Sequence, residues 1–196
     1  MLSTTEAIVL ALQPLSDRAH LLHAYTRTGG RVNFKVYGLG KHHSAGLYTP
    51  LSLIQISADI HGEKLPSLRT AQLIHVPITL TTDPRKQAIA IFLSEVLFLT
   101  LRHPMADEDM FSYIAETVKW LDWTDEPRNF HLQFLVGFAA RLGFAIDETI
   151  YSDLLVPPTT RSARQQQLIN LCAYFAEHIE TWQTPKSLDV LKEVFD

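Results

Sequence analysis

The spacing of apolar residues changes once along this chain, near Pro77. Before Pro77, apolar residues alternate with polar ones in short runs, which is typical of half-buried β-strands. After Pro77 they recur every three or four residues, which is typical of amphipathic helices. The chain therefore predicts an α+β protein in which a β part comes first and an all-α part follows.

Five short runs between residues 7 and 76 have the composition of strands, because they are rich in β-branched and apolar residues and are bounded by Gly, Pro or polar clusters. Five strands within about 75 residues match the size of an OB-like barrel. Gly30 and Gly62 are predicted to lie in turns, and Pro50 predicts an edge or a bend in the fourth run. The runs are Ala7–Leu12, His20–Arg27, Arg31–Tyr37, Leu47–Ile56 and Leu68–Val76.

The third run has the clearest alternation, with Val32, Phe34 and Val36 on one face and Arg31, Asn33, Lys35 and Tyr37 on the other. One face is therefore predicted to be core and the other cationic. Cations along a groove can neutralise phosphates, and an aromatic ring beside them can stack on an unpaired base. The alternative is an ordinary solvated strand face, which composition alone favours.

Five helices are predicted after Pro77. Asp83-Pro84 is a typical start, and Gly143 suits the left-handed end of the third helix. Ser162-Ala163-Arg164-Gln165 has the pattern of a capping box, and the segment Asp147–Thr160 is predicted to be a loop. The helices are expected from Pro84 to near His103, over Asp107–Trp123, from near Pro127 to Leu142, from Ser162 to about Ile179, and within Pro185–Phe195.

The sequence lacks the common catalytic motifs, which favours a protein that is not an enzyme. Neither phosphate-binding glycine motifs, nor a Gly-x-Ser-x-Gly elbow, nor His-Glu-x-x-His occurs in the chain. The single cysteine, Cys172, lies among apolar residues of a predicted helix and is expected to be buried. His20 and His23 point to opposite faces of a strand, so we expect neither a metal nor a cofactor. The three tryptophans are expected to be core residues, and no segment is long and apolar enough to span a membrane.

Charge is distributed unevenly between the two parts. Residues 1–80 carry seven basic and four acidic side chains, whereas residues 81–196 carry ten basic and seventeen acidic ones. The two parts are therefore expected to meet different partners. Without a secretory signal at the N-terminus, we expect a cytoplasmic protein.

Four stretches in the same order along the chain resemble the RecO family of recombination mediators. They read AIVLALQPLSDRAHLLHAYTRTGGRVNFKVYGLGK, KQAIAIFLSEVL, NFHLQFLVGFAARLGF and KSLDVLKEVF. The resemblance implies an N-terminal OB barrel, residues 1–80, followed by a helical domain, residues 81–196, for binding partner proteins. It also implies contacts with DNA around residues 35–41. The candidate DNA-binding residues are Arg27, Arg31, Lys35, Tyr37, Lys41, His42 and His43.

The family resemblance also implies partners and a mechanism. Members bind single- and double-stranded DNA, anneal complementary strands, and load the recombinase RecA together with RecR. They also accept the acidic tail of single-strand-binding protein on the helical domain. We therefore expect a non-enzymatic DNA-repair protein that is cytoplasmic and associated with the nucleoid. The alternative is a protein–protein adaptor whose barrel has lost DNA binding.

Two departures from the family pattern affect these expectations. Many members carry a cysteine-rich zinc element after the Leu-Gly-aromatic motif, but Ala145–Arg161 contains no cysteine, so zinc is not implied. His42 and His43 stand where several Arg or Lys are common. Because histidine has an ordinary pKa of about 6.5, we expect weaker and more pH-dependent DNA binding.

Overall fold

A closed five-stranded barrel forms the N-terminal part of the chain in the computed structural model, which describes residues 2–41, 44–59 and 64–195. The strand order is β1-β2-β3-β5-β4, and all neighbours are antiparallel except β3 and β5. The predicted OB-like barrel followed by helices is thus confirmed. The strands are β1 Leu2–Ser16, β2 Ala19–Thr26, β3 Gly30–Tyr37, β4 Leu53–Asp59 and β5 Ser67–Leu73.

The first strand is much longer than the predicted run Ala7–Leu12. Its first half pairs with β4 and its second half pairs with β2, with register shifts between Val9 and Ala11 and between Pro14 and Ser16. Such bulges bend a strand and increase its twist, which lets one strand serve two parts of a barrel. The residues before Ala7 are mostly polar and show no alternation of polar and apolar side chains. Their backbone nevertheless pairs with β4, so the sequence pattern did not reveal this part of the strand.

The predicted fourth run, Leu47–Ile56, was wrong over its first half. A short 3-10 helix occupies Ala45–Tyr48, a turn follows at Pro50, and β4 begins at Leu53. Leu51 is buried with a positive φ of 63°, and its backbone N–H donates to the carbonyl of Val9 at 2.9 Å. Burial of this side chain and that hydrogen bond hold the residue in a conformation that leucine rarely adopts.

The barrel interior confirms the alternation predicted for β3. Phe34 and Val36 are buried in the core cluster, whereas Lys35 and Tyr37 lie on the outer face. The rest of this cluster comes from the other four strands and the 3-10 helix, and it comprises Ala7, Val9, Leu22, Ala24, Tyr48, Ile54, Ile56, Ala58 and Leu68.

Six helices follow the barrel within the described residues. The short helix α4 lies inside the segment that was predicted to be a loop. Helix α5 is capped by Thr160, whose hydroxyl accepts from the backbone N–H of Ala163, so the predicted cap at Ser162 was wrong. Gly143 has the left-handed conformation expected of it, with φ of 94°. The helices are α1 Pro84–Thr100, α2 Glu108–Trp123, α3 Phe130–Arg141, α4 Ser152–Leu155, α5 Arg161–His178 and α6 Leu188–Val194.

The chain divides into two compact units, and each unit is made of two separate stretches of sequence. One contains residues 1–77 and 94–119, and the other contains residues 78–93 and 120–196. The first unit thus combines the barrel with the end of α1 and most of α2. A functional division at residues 80 and 81 stays a prediction.

Two of the three tryptophans contradict the expectation that they are core. Trp120 is 55% exposed and Trp123 is 65% exposed, and both lie near the C-terminal end of α2. Cys172 is buried as expected, and burial raises the pKa of its thiol to about 11. Among the described helices, none combines the length and apolar character that crossing a bilayer requires.

Candidate nucleic-acid interface

The end of β3 presents three of the predicted site residues. Lys35 lies on the outer face of β3, where it pairs with Ser67 of β5. Tyr37 is the last residue of the strand and is 50% exposed. Lys41 follows in a turn in which its backbone N–H donates to the carbonyl of Gly38 at 3.0 Å. Gly38 and Gly40 both have positive φ, of 66° and 82°, which glycine adopts without strain.

Four cations of the barrel form no ion pair within the described part of the chain. We call them the open cations: Arg18, Lys35, Lys41 and Lys64. Topology places them around one region, because Arg18 precedes Ala19, the residue that pairs with Tyr37, and Lys64 lies shortly before Ser67. Arg18 and Lys64 were not among the predicted site residues. Their positions in the β1–β2 and β4–β5 connections could have indicated them, since these loops flank the binding face of OB-folds.

The side chain of Arg31 contacts other residues of the first unit. Its guanidinium lies 4.2 Å from the centroid of the Phe98 ring, and Nη1 donates to the carbonyls of Phe98 and Leu101 at 3.1 and 3.3 Å. These two carbonyls lie at the end of α1, where backbone carbonyls have no hydrogen-bond donor within the helix. Burial, followed by repulsion from Arg102, lowers the pKa of Arg31 to about 10, so the side chain is still charged at neutral pH.

Arg27 is also paired within the same unit. Its Nε donates to the Glu6 carboxylate at 2.8 Å, and Nη1 donates to Glu108 at 3.2 Å and to the Ser112 hydroxyl at 3.3 Å. The guanidinium also lies 4.5 Å from the centroid of the Phe111 ring. The side-chain hydrogen bond to Glu6 is the main cause that raises the pKa of Arg27. Arg27 therefore contacts α2 and Arg31 contacts the end of α1. Lys35 and Lys41 differ from them, because they belong to the open cations.

Comparison with known proteins matches both parts of the chain to one family. Residues 1–77 match the family "Recombination protein O N terminal", and residues 81–149 match "Recombination protein O C terminal". The chain belongs to the RecO family. Proteins named DNA repair protein RecO are similar over the full length of both chains. That of Phocaeicola vulgatus is 29% identical over 240 aligned positions, that of Christiangramia forsetii 26% over 238, and that of Porphyromonas gingivalis 25% over 245.

This RecO family member has histidines on β2 and among the predicted site residues. His42 and His43 lie outside the described residues. His23 is buried on β2, where Nδ1 lies 2.7 Å from the Asn33 amide oxygen and its ring contacts Phe98 edge-on at 5.1 Å. Burial is the main cause that lowers the pKa of His23, and the charge of Arg31 adds to it. His23 is therefore packed between the barrel and α1.

Across residues 2–41, 44–59 and 64–195, no three or more His, Cys, Asp or Glu side chains come together in a way that could hold an ion. The region between Gly143 and α5 is instead tied by aromatic contacts, since Phe144 stacks on His178 with ring centroids 5.0 Å apart. The hydroxyl of Tyr174 also lies 3.2 Å from the carbonyl of Ala145.

Proposed function

We propose that this protein acts in DNA repair by homologous recombination and binds single- and double-stranded DNA through its barrel. The observation that carries the proposal is the set of open cations beside the exposed ring of Tyr37, on an OB-like barrel of a RecO family member. Relatives over the full length of the chain are named DNA repair protein RecO. Of the residues predicted from sequence, Lys35, Tyr37 and Lys41 are the proposed contacts; Arg27 and Arg31 already have partners.

The proposed mechanism is positioning rather than bond chemistry. Lysine and arginine neutralise phosphates and release condensed counterions, so binding weakens as salt rises. A tyrosine ring adds sequence-tolerant stacking on an unpaired base. Two strands whose phosphates are partly neutralised repel each other less, which favours annealing of complementary strands.

The helical part is proposed to recruit proteins. Its excess of acidic over basic side chains, seventeen against ten in residues 81–196, disfavours DNA there and suits partners with complementary surfaces. By its resemblance to the RecO family, we propose that it works with a RecR-like protein and with the tail of single-strand-binding protein to load a recombinase. A cytoplasmic, nucleoid-associated location belongs to the same proposal.

A charge-reversal series tests the barrel site. The double variant Lys35→Glu/Lys41→Glu should weaken binding of a labelled single-stranded oligonucleotide by at least about tenfold, measured by fluorescence anisotropy, because it places negative charge where phosphates bind. The matched control is Lys119→Glu/Lys192→Glu, which changes the net charge equally. These two lysines pair with Glu116 and Asp189 on helix surfaces, so we expect their reversal to cost little stability.

Replacing Tyr37 separates stacking from charge. Tyr37→Phe should keep the affinity for single strands, whereas Tyr37→Ala should reduce it by at least about fivefold, since stacking contributes about 1–3 kcal/mol per base. If Lys35→Glu/Lys41→Glu and Lys119→Glu/Lys192→Glu weakened binding equally, the result would contradict the proposed site.

Absence of binding by the unaltered protein at low salt would instead favour the adaptor alternative. One observation supports that alternative: two predicted DNA contacts, Arg27 and Arg31, are held by groups of the protein itself.

A further inference from the structure

A cleft of about 250 Å³ opens on the surface of the second unit, between α4 and α5. Aromatic, acidic and amide side chains line it together. Tyr151 and Tyr174 form the aromatic part, with ring centroids 5.1 Å apart and planes at 72°. The lining residues are Ile150, Tyr151, Asp153, Leu154, Asn170, Ala173, Tyr174 and Glu177.

The aromatic wall is rigid. Tyr174 is only 5% exposed, and its hydroxyl lies within hydrogen-bonding distance of the carbonyls of Phe144 and Ala145, at 3.3 and 3.2 Å. The ring of His178 packs 4.2 Å from the Tyr174 ring, centroid to centroid, and its Nδ1 lies 2.8 Å from the Tyr174 carbonyl. The Tyr174 ring is thus fixed before any ligand arrives, which lowers the entropy cost of binding.

The acidic wall has no cation of its own. Asp153 and Glu177 are exposed, and neither forms an ion pair within the described chain. Glu116, Glu126 and Asp189, by contrast, each lie within 4 Å of a lysine or arginine. Burial is the main cause that raises the pKa of Tyr174, followed by Tyr151 and then by the charges of Asp147 and Glu177.

Such a lining recognises a cation of particular shape. The faces of aromatic rings attract a cation through their quadrupole, and unpaired carboxylates add charge and hydrogen-bond acceptors. A guanidinium is planar, stacks on aromatic rings and carries five N–H donors, whereas an ammonium is a compact and strongly hydrated charge. Asn170, whose Oδ1 accepts from Gln166 at 2.9 Å, adds a polar group to the edge of the cleft.

We propose that this cleft binds one arginine side chain carried on an exposed segment of a partner protein. The guanidinium lies against Tyr151, whose ring is held edge-on by the buried ring of Tyr174. Its N–H groups donate to Asp153 and Glu177, and its methylenes cover Ile150. The acidic excess of the helical part attracts a basic segment to this surface and speeds its association. The site does not depend on the proposed DNA binding, because its residues all lie in the second unit.

The test uses the full chain and a defined probe. The ¹⁵N-labelled protein is titrated with Ac-Gly-Arg-Gly-NH₂, and with a citrulline analogue that keeps the shape but lacks the charge, while backbone amide shifts are followed by NMR. We expect saturable shifts confined to residues 150–154 and 170–177, and at least about tenfold weaker binding of the citrulline peptide.

Neutralising the acidic wall gives the second arm of the test. Asp153→Asn/Glu177→Gln should weaken binding of the arginine peptide by about tenfold. The matched control, Asp125→Asn/Glu126→Gln, removes the same charge elsewhere in this unit and should leave binding within about twofold.

Three results would overturn the proposal: equal binding of the citrulline peptide, equal loss in both variants, or shifts spread over all acidic surfaces. Because the wild-type shift map locates the peptide directly, the proposal can still be refuted if the double variant fails to fold.

Discussion

The contacts of Arg31 make a prediction that separates a structural role from a DNA-binding one. In the Arg31→Met variant, an apolar chain of similar length still covers Phe98, but the carbonyls of Phe98 and Leu101 lose their donors. If the side chain mainly holds the end of α1, the variant should unfold more easily and should bind DNA almost as well as the unaltered protein.

The size of the effect follows from the contacts that are lost. Two hydrogen bonds from a charged donor, at 3.1 and 3.3 Å, contribute about 1.5 kcal/mol each at the weak end of the usual range. The contact with the Phe98 ring adds about 1 kcal/mol. Nε of Arg31 is buried with no partner among the described residues, so its removal returns about 1–2 kcal/mol. The net loss in the free energy of unfolding is about 2–3 kcal/mol.

Thermal unfolding followed by circular dichroism measures this loss directly. For a chain of this size, the expected decrease in melting temperature is about 4–12 °C. The affinity for a single-stranded oligonucleotide should remain within about threefold, since no proposed phosphate contact is removed. An unchanged melting temperature together with a tenfold weaker affinity would refute the reasoning and would place Arg31 in the DNA site.

Three further variants test contacts that hold the fold together. Gly30→Ala should lower the free energy of unfolding by more than about 2 kcal/mol, measured by thermal unfolding. Gly30 has φ of 60°, and an added Cβ would clash with the Met105 carbonyl oxygen. A variant as stable as the unaltered protein would contradict this geometry. The backbone N–H groups of residues 78–80 donate to the buried carboxylate of Asp122. Asp122→Asn should therefore lower the free energy of unfolding in urea by about 2–3 kcal/mol and speed hydrogen exchange at these residues. Unaltered exchange at residues 78–80 would contradict this prediction. Burial, with the charge of Arg164 adding, lowers the pKa of His131 to about 3. The unfolded chain therefore takes up a proton first as pH falls below about 6.5, and stability decreases by up to about 1.4 kcal/mol per pH unit. His131→Leu should reduce this slope between pH 4 and 6 by about one proton, and parallel pH profiles for the two proteins would refute the assignment.

The sequence predicted the parts of the fold in which side-chain pattern and burial agree. In β3, Phe34 and Val36 enter the core and Lys35 faces out, as alternation requires. The residues before Ala7 could not be recognised as strand, because backbone pairing with β4 holds them without an alternating pattern. Trp120 and Trp123 were wrongly expected in the core, since large aromatic residues on a helix do not by themselves indicate which face is covered.

The candidate site was less predictable than the fold, because a charged residue on a strand face has no sequence signal for its partners. Arg31 and Lys35 share one face of β3, yet Arg31 meets the end of α1, which lies more than sixty residues away in sequence. The open cations Arg18 and Lys64 became visible once the strand order showed which loops flank β3. Long-range packing, which local spacing does not contain, decided both cases.

The salt dependence of DNA binding shows directly whether Lys35 and Lys41 contact phosphates. The logarithm of the association constant for a single-stranded oligonucleotide is plotted against the logarithm of salt concentration, for the unaltered protein and for Lys35→Ala/Lys41→Ala. Each neutralised phosphate contributes about 0.7 to the slope for single strands, so removing two contacts should make the slope shallower by about 1.4. The same slope for both proteins would contradict phosphate binding by Lys35 and Lys41.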